Sequence, residues 1–193
     1  MTRSVTEAHA GDHAEERLVR AAQADLRHFA PLYHRYVGRI YRYIAARVQD
    51  RSAAEDLTSE VFLSVLENLQ AYRPNSAFGA WIFTIARNSV VSHHRQAQPL
   101  GSLDEDNVPW LAADRREGPG RWGDRDDLDL LAQALRGLDD GDRELLSLRF
   151  AGGLTYREVA KILGRTPGSV KMAIHRLLHR LERQLEEKHE QAG

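Results

Sequence analysis

The side chains with chemistry to offer in this sequence are cations, and phosphate is the partner that suits them. Between Thr155 and Arg183 stand Arg157, Lys161, Arg165, Lys171, Arg176, Arg180 and Arg183, against only Glu158 and Glu182. From Gln70 to Leu100 there is no carboxylate, and Arg73, Arg87, Arg95, His93 and His94 supply the charge. Between these regions, residues 101–127 hold 4 Lys/Arg and 8 Asp/Glu. The formal net charge of −1 therefore conceals two cationic regions around an acidic middle. A ligand feels the field within a Debye length, about 8–10 Å, rather than the chain total. Covalent chemistry finds less support. With no Cys, there is no thiol nucleophile, disulfide framework or Cys-ligated metal. No nucleophile–base pair or phosphate-binding glycine loop stands out, and Gly118-Pro119-Gly120 has linker character. His175 and His179 stand four apart, as metal ligands on a helix can, but no third ligand accompanies them. No catalytic residue, metal site or cofactor is expected.

The elements that position these cations are helical. The 193 residues are 42% hydrophobic, with only 6 Pro and 14 Gly. That is enough apolar material for packed cores and too few turn residues for an all-β chain. No run approaches the roughly 18 apolar residues of a membrane span, and residues 1–15 lack a signal-peptide core. A soluble, cytoplasmic protein without membrane insertion is the expectation.

Periodicity divides the chain. Residues 1–15 read as a disordered tail, followed by a helix from Glu16 to Ala24. Apolar and aromatic residues then recur from Leu26 to Val48, with a kink or restart at Pro31. Ser52 and Glu55 read as a capping box for a helix burying Leu57, Val61, Phe62, Val65, Leu66 and Leu69. The segment Tyr72–Ala77 reads as a loop, and Ser76 as the cap of a helix running to Arg95. Residues 97–127 lose all periodicity and read as a linker carrying Trp110 and Trp122. Short helices are expected at Leu128–Arg136, Asp140–Phe150, Thr155–Leu163 and Pro167–Leu185. The fold class is all-α: two small helical domains, 16–96 and 128–187, joined by a flexible linker.

The sharpest local signal runs from Leu154 to Lys171. Thr155 and Glu158 form a capping box, Gly164 supplies a left-handed stop, and Thr166 caps a helix with Pro167 at its first position. Two short helices across a three-residue turn make a helix-turn-helix, whose second helix enters the major groove of DNA. With Val170, Ile174, Leu177, Leu178 and Leu181 inward, Gly168, Ser169, Lys171, Met172, His175, Arg176 and His179 face outward. The bland alternative is a helical hairpin with a solvated basic face.

Two further stretches complete a pattern. Ala54-Glu55-Asp56-Leu57-Thr58-Ser59-Glu60-Val61-Phe62 and Phe78-Gly79-Ala80-Trp81-Ile82-Phe83-Thr84-Ile85-Ala86-Arg87-Asn88 precede Leu154-Thr155-Tyr156-Arg157-Glu158-Val159-Ala160 and Gly168-Ser169-Val170-Lys171. In this order they resemble the extracytoplasmic-function (ECF) sigma factors, the minimal two-domain members of the sigma-70 family. The resemblance implies a promoter-specificity factor, not an enzyme, that works with core RNA polymerase and promoter DNA. It implies that Asp56, Glu60, Ser64 and Glu67 meet the clamp helices of β′, and that the flap of β is a further contact on core polymerase. It assigns the −10 element, as a melted strand, to Tyr72, Arg73, Asn75, Ser76, Arg87, Asn88, Val91 and Arg95. It assigns the −35 duplex to Arg165, Thr166, Ser169, Lys171, Met172, His175 and Arg176, in a helix-turn-helix domain. An anti-sigma partner is also expected. One departure stands out: where the family carries Lys/Arg-Ser-Arg, this chain has Lys171-Met172-Ala173. Competing readings are a stand-alone regulator that binds duplex DNA without polymerase, and an adaptor of two helical bundles.

Overall fold

A computed structural model describes residues 3–48, 50–73, 77–96, 134–135 and 137–192, with side chains from His13 to Glu187. The described residues form seven α-helices and no strand. The first half holds α1 (Arg3–Ala24), α2 (Ala30–Ala45), α3 (Arg51–Asn68) and α4 (Phe78–Gln96). The second holds α5 (Asp140–Leu146), α6 (Tyr156–Leu163) and α7 (Pro167–Ala192). The all-α expectation holds, with the expected linker and its Trp110 and Trp122 lying outside the described residues.

Helix α1 starts at Arg3, well before the expected Glu16, so most of the presumed tail is helical. Its reason is tertiary. Glu15 is buried, accepts the Tyr36 hydroxyl proton and lies 3.5 Å from Arg35. A buried carboxylate needs such partners, and they pin α1 across α2. Further along α1, the Gln23 amide donates to the Leu69 and Tyr72 carbonyls at 2.8 and 3.0 Å, clasping the end of α3.

Asp25 caps a 3₁₀ turn, Leu26–His28, and the chain then restarts as α2 with Pro31 in its first turn. A proline there loses no hydrogen bond, which explains the restart. Leu32, Tyr36, Ile40, Tyr43 and Ile44 form its buried stripe. The start of α3 differs from expectation. Asp50 is the cap, accepting the Ser52 N–H at 2.8 Å, while Glu55 takes Arg51 at 2.9 Å instead of closing a box. Aspartate outside the helix reaches the orphan donors equally well, leaving Ser52 in the first turn. The expected Ser76 cap lies outside the described residues.

In the second half, Asp139 caps α5 by accepting the Asp142 N–H at 2.8 Å. Helix α5 passes into a π-helical turn, Ser147–Ala151, in which the Gly152 N–H donates to Ser147 O at 2.8 Å. Helix α6 then crosses to α7, which runs past the expected Leu185 to Ala192. Of the helix expected at Leu128–Arg136, Ala134 and Leu135 are described as helical, and both are buried. They share a small core with Leu138, Leu146, Leu177 and Leu181.

The larger core runs through both halves. Ile40, Tyr43, Phe83 and Ala86 of the first share one apolar cluster with Leu145, Leu148, Leu154, Val159 and Val170 of the second. The two helical units therefore pack directly on one another, α4 against α6.

Candidate nucleic-acid interface

The helix-turn-helix forms as its local chemistry dictates. Thr155 and Glu158 make a full capping box: Thr155 Oγ1 accepts the Glu158 N–H, and Glu158 Oε2 accepts the Thr155 N–H at 2.7 Å. Gly164 has φ 64° and ψ 33°, in the left-handed region where a side chain is strained. The following Arg165 N–H returns to the Ala160 carbonyl at 2.8 Å, satisfying the helix end. Thr166 Oγ1 then accepts the Ser169 N–H at 3.2 Å and opens α7. Each cap is worth about 1 kcal/mol, so the turn angle is fixed by four residues close in sequence.

Helix α7 buries Val170, Ile174, Leu177 and Leu181. Leu178, expected inside, is 43% exposed, because its place on the helix lies beyond the stripe that packs on α5 and α6. Arg165, Thr166, Lys171, Met172, His175 and Arg176 are exposed, and Ser169 is half-buried. Cations suit guanine edges and phosphates, and the Met172 thioether chain suits a thymine methyl. The sequence departure has a place as well. Ala173 lines a groove with Arg165, Arg176, Arg180 and Arg183, so a cation there would project among four others. Asp142 of α5 also lines this groove and pairs with Arg180. The His175 and His179 rings lie 4.5 Å apart, tilted by 49°, and His179 faces Glu182 at 3.2 Å. Among the described residues no group of three or more metal-ligating side chains occurs.

The carboxylate-free region divides in two. Asn88, Val91 and Arg95 form an open stripe along α4, with Val91 46% exposed. Arg87, expected beside them, turns toward the second half. It meets Glu144 of α5 through Nε–Oε1 at 2.7 Å and Nη2–Oε2 at 3.4 Å. The carboxylate hydrogen bond holds the guanidinium even more firmly protonated than usual. Tyr72, expected to meet DNA, is 6% exposed, its ring centroid 5.5 Å from that of Phe78 and 4.8 Å from that of Trp81. A large ring next to a helix N-terminus contributes most by burial, and here Phe78 and Trp81 supply the surface. Arg73 is exposed and donates to the Gln70 and Tyr72 carbonyls. Asn75 and Ser76 lie outside the described residues. Phe83 is fully buried.

On α3, Asp56, Glu60 and Glu67 are exposed and Ser64 half-buried. Leu63, not anticipated, is 60% exposed in the midst of this acidic face. Its spacing, three after Glu60 and four before Glu67, is the signal that places it there. An apolar side chain ringed by carboxylates is a common form of protein-contact surface. No described helix is long and apolar enough to cross a membrane.

Known proteins show the same architecture. A family model described as Sigma-70 region 2 matches residues 32–99, and one described as Sigma-70, region 4 matches residues 128–181. The chain is 34% identical over 168 residues to the ECF RNA polymerase sigma factor BldN of Streptomyces coelicolor, covering 86% of this chain and 62% of that longer protein. It is 30% identical over 162 residues to the RNA polymerase sigma factor CarQ of Myxococcus xanthus, covering 82% of this chain and 90% of CarQ. In fold it is similar to the sigma factor RpoE solved with the anti-sigma factor NepR from Bartonella quintana. That likeness has a TM-score of 0.62 and 22% identity over 82% of this chain and 96% of the other. Two family regions in the expected order, with matching identity across nearly all of CarQ, establish that this chain belongs to the sigma-70 family, among the ECF RNA polymerase sigma factors of promoter-specific transcription initiation.

Proposed function

We propose that this sigma factor reads a promoter with two separate surfaces while held on core RNA polymerase, acting as a binding factor and not as an enzyme. Residues 16–96 serve polymerase and the −10 element, 128–187 serve the −35 element, and 97–127 connect them. The acidic face of α3, Asp56, Glu60, Ser64 and Glu67 around Leu63, engages the clamp helices of β′. The second half engages the flap of β. Asn88, Val91 and Arg95, together with Arg73, Asn75, Ser76 and Arg87, hold the −10 strand after melting. Cations without competing carboxylates track a single-stranded backbone, and polar groups at the loop hold an unstacked base.

The observation that carries this reading is the exposed face of α7. Arg165, Thr166, Ser169, Lys171, Met172, His175 and Arg176 stand at the start of a rigidly capped helix, where base edges of the −35 duplex are read. The bacterial cytoplasm, at the nucleoid, is the place of action. An anti-sigma partner fits the exposed Leu63 and Val91, and RpoE of Bartonella quintana was solved with such a factor.

The test is promoter opening with purified core polymerase, alongside gel shifts on duplex and fork-junction DNA with and without polymerase. Opening is expected only when both proteins are present, and is lost when Arg87, Arg95, Lys171 and Arg176 are neutralised together. Opening that survives this neutralisation refutes the reading. Tight duplex binding without polymerase supports a stand-alone regulator instead.

A further inference from the structure

The junction between the two halves consumes cations that the proposed function needs. Glu144 is 13% exposed at its side chain and takes Arg87 through two oxygens. Two arginines of α2 and one just beyond it meet the two ends of the same α5–π segment. Arg39 donates to the Gly152 and Gly153 carbonyls at 2.8 and 3.3 Å, Arg42 to Ala151 O at 3.3 Å, and Arg47 to Asp140 O at 3.4 Å. Carbonyls at a helix C-terminus carry partial negative charge and attract guanidinium groups. Arg39 and Arg42 thus cap the segment's C-terminal end from outside.

The steric fit is equally specific. A β-carbon at Gly152 would stand 2.7 Å from Phe83 Cε1, and one at Gly79 would stand 3.0 Å from Glu158 Oε1. Gly152 has φ −76°, which any residue adopts, so space alone demands glycine there. Yet the junction is not fully satisfied. The Tyr43 hydroxyl and Arg47 Nε are buried there and make no hydrogen bond.

Separation is required by the promoter. Elements one to two helical turns apart lie on the order of 34–70 Å from each other, whereas α6, immediately before the recognition helix, packs directly on α4. We propose that Glu144 is an internal stand-in for promoter phosphate: by occupying Arg87 it holds the free chain closed and off the −10 strand until DNA on the polymerase displaces it. This rests on the −10 role proposed for Arg87. The carboxylate and a phosphodiester both offer paired anionic oxygens to one guanidinium, so they compete for it. Closed packing and strand binding are then mutually exclusive states of one chain. Any group that favours one disfavours the other by the same free energy.

The full chain carries the test. Since it has no Cys, cysteines introduced at Glu55 and Glu182, both exposed, take a donor–acceptor dye pair that reports separation of the halves. Glu144→Gln keeps shape and removes charge, while Gly152→Val wedges the junction against Phe83 and leaves the Arg87 and Glu144 side chains unaltered. Each variant is expected to lower energy transfer and to tighten binding of the free chain to a −10 single strand by about tenfold. Adding Arg87→Gln abolishes that gain. Unchanged energy transfer and strand binding in Glu144→Gln overturn the proposal, while opening by holoenzyme still lost in Arg87→Gln leaves the −10 reading standing. Arg87→Gln holoenzyme that opens promoters normally refutes the −10 role of Arg87 and the proposal with it.

Discussion

Truncating Tyr72 to alanine separates a structural aromatic from a base-stacking one. The ring is 6% exposed and lies against Phe78 and Trp81 at 5.5 and 4.8 Å. Removing a buried aromatic costs about 3–5 kcal/mol, because the surroundings collapse only partly onto the space. In a chain of this size each kcal/mol moves the thermal midpoint by about 2–4 °C. Tyr72→Ala is thus expected to melt roughly 6–20 °C below the parent. Phenylalanine at the same position keeps the ring and its packing, and forfeits at most the roughly 1 kcal/mol of a hydroxyl hydrogen bond. The loop backbone stays anchored in both variants, since Gln23 holds the Tyr72 carbonyl at 3.0 Å. Circular dichroism melts of the isolated chain give the stability. Promoter opening by holoenzyme, at a temperature below both midpoints, gives the function. The alanine variant should be unstable yet competent in opening. If instead it melts with the parent and fails to open promoters, the ring stacks on a base and its burial has been misread.

Leu63→Asp should weaken binding to core polymerase in a pull-down while leaving the melt within about 0.5 kcal/mol, since the side chain is 60% exposed. Gly164→Ala should lower stability by about 1 kcal/mol in denaturant titration, because the left-handed φ of 64° persists while alanine resists it. Lys171→Ala should weaken −35 duplex binding and reduce the slope of log affinity against log salt by about 1. His94 titrates below its ordinary 6.5, driven first by desolvation and then by the charges of Arg47 and His93, against smaller opposing pulls from a hydrogen bond to the Arg47 backbone and from Asp140. Its folded pKa lies below the unfolded one, so its effect is neutral above pH 6.5 and destabilising as pH falls from there toward the folded value. Thermal midpoints measured across that range should decline, and His94→Asn should flatten the decline.

What could be read from the chain was local. The helix-turn-helix was legible because Thr155, Glu158, Gly164 and Thr166 act within a few residues of themselves, and caps obey short-range rules. The apolar stripe of α7 was legible for Val170, Ile174, Leu177 and Leu181, while Leu178 shows that a stripe ends where its neighbours end. The burial of Tyr72 was not legible, because only the tertiary positions of Phe78 and Trp81 turn the ring inward. The burial of Glu15 was hidden for the same reason, since it depends on Tyr36 across a helix pair. The junction was beyond reach. Arg87 meets Glu144 57 residues away, and Arg39 meets Gly152 113 residues away, separations that no periodicity encodes.

The π-helical turn at Ser147–Ala151 sets a constraint on chain length. Its five-residue closure, Ser147 to Gly152, holds one residue more than an α-helical turn would. Each residue of an α-helix rotates the chain by about 100°. Deleting any single position between Ser147 and Ala151 would restore ordinary helix there and swing everything downstream, Lys171 and Arg176 included, around the axis. Side-chain exchanges in this turn are therefore tolerable where single-residue insertions and deletions are not.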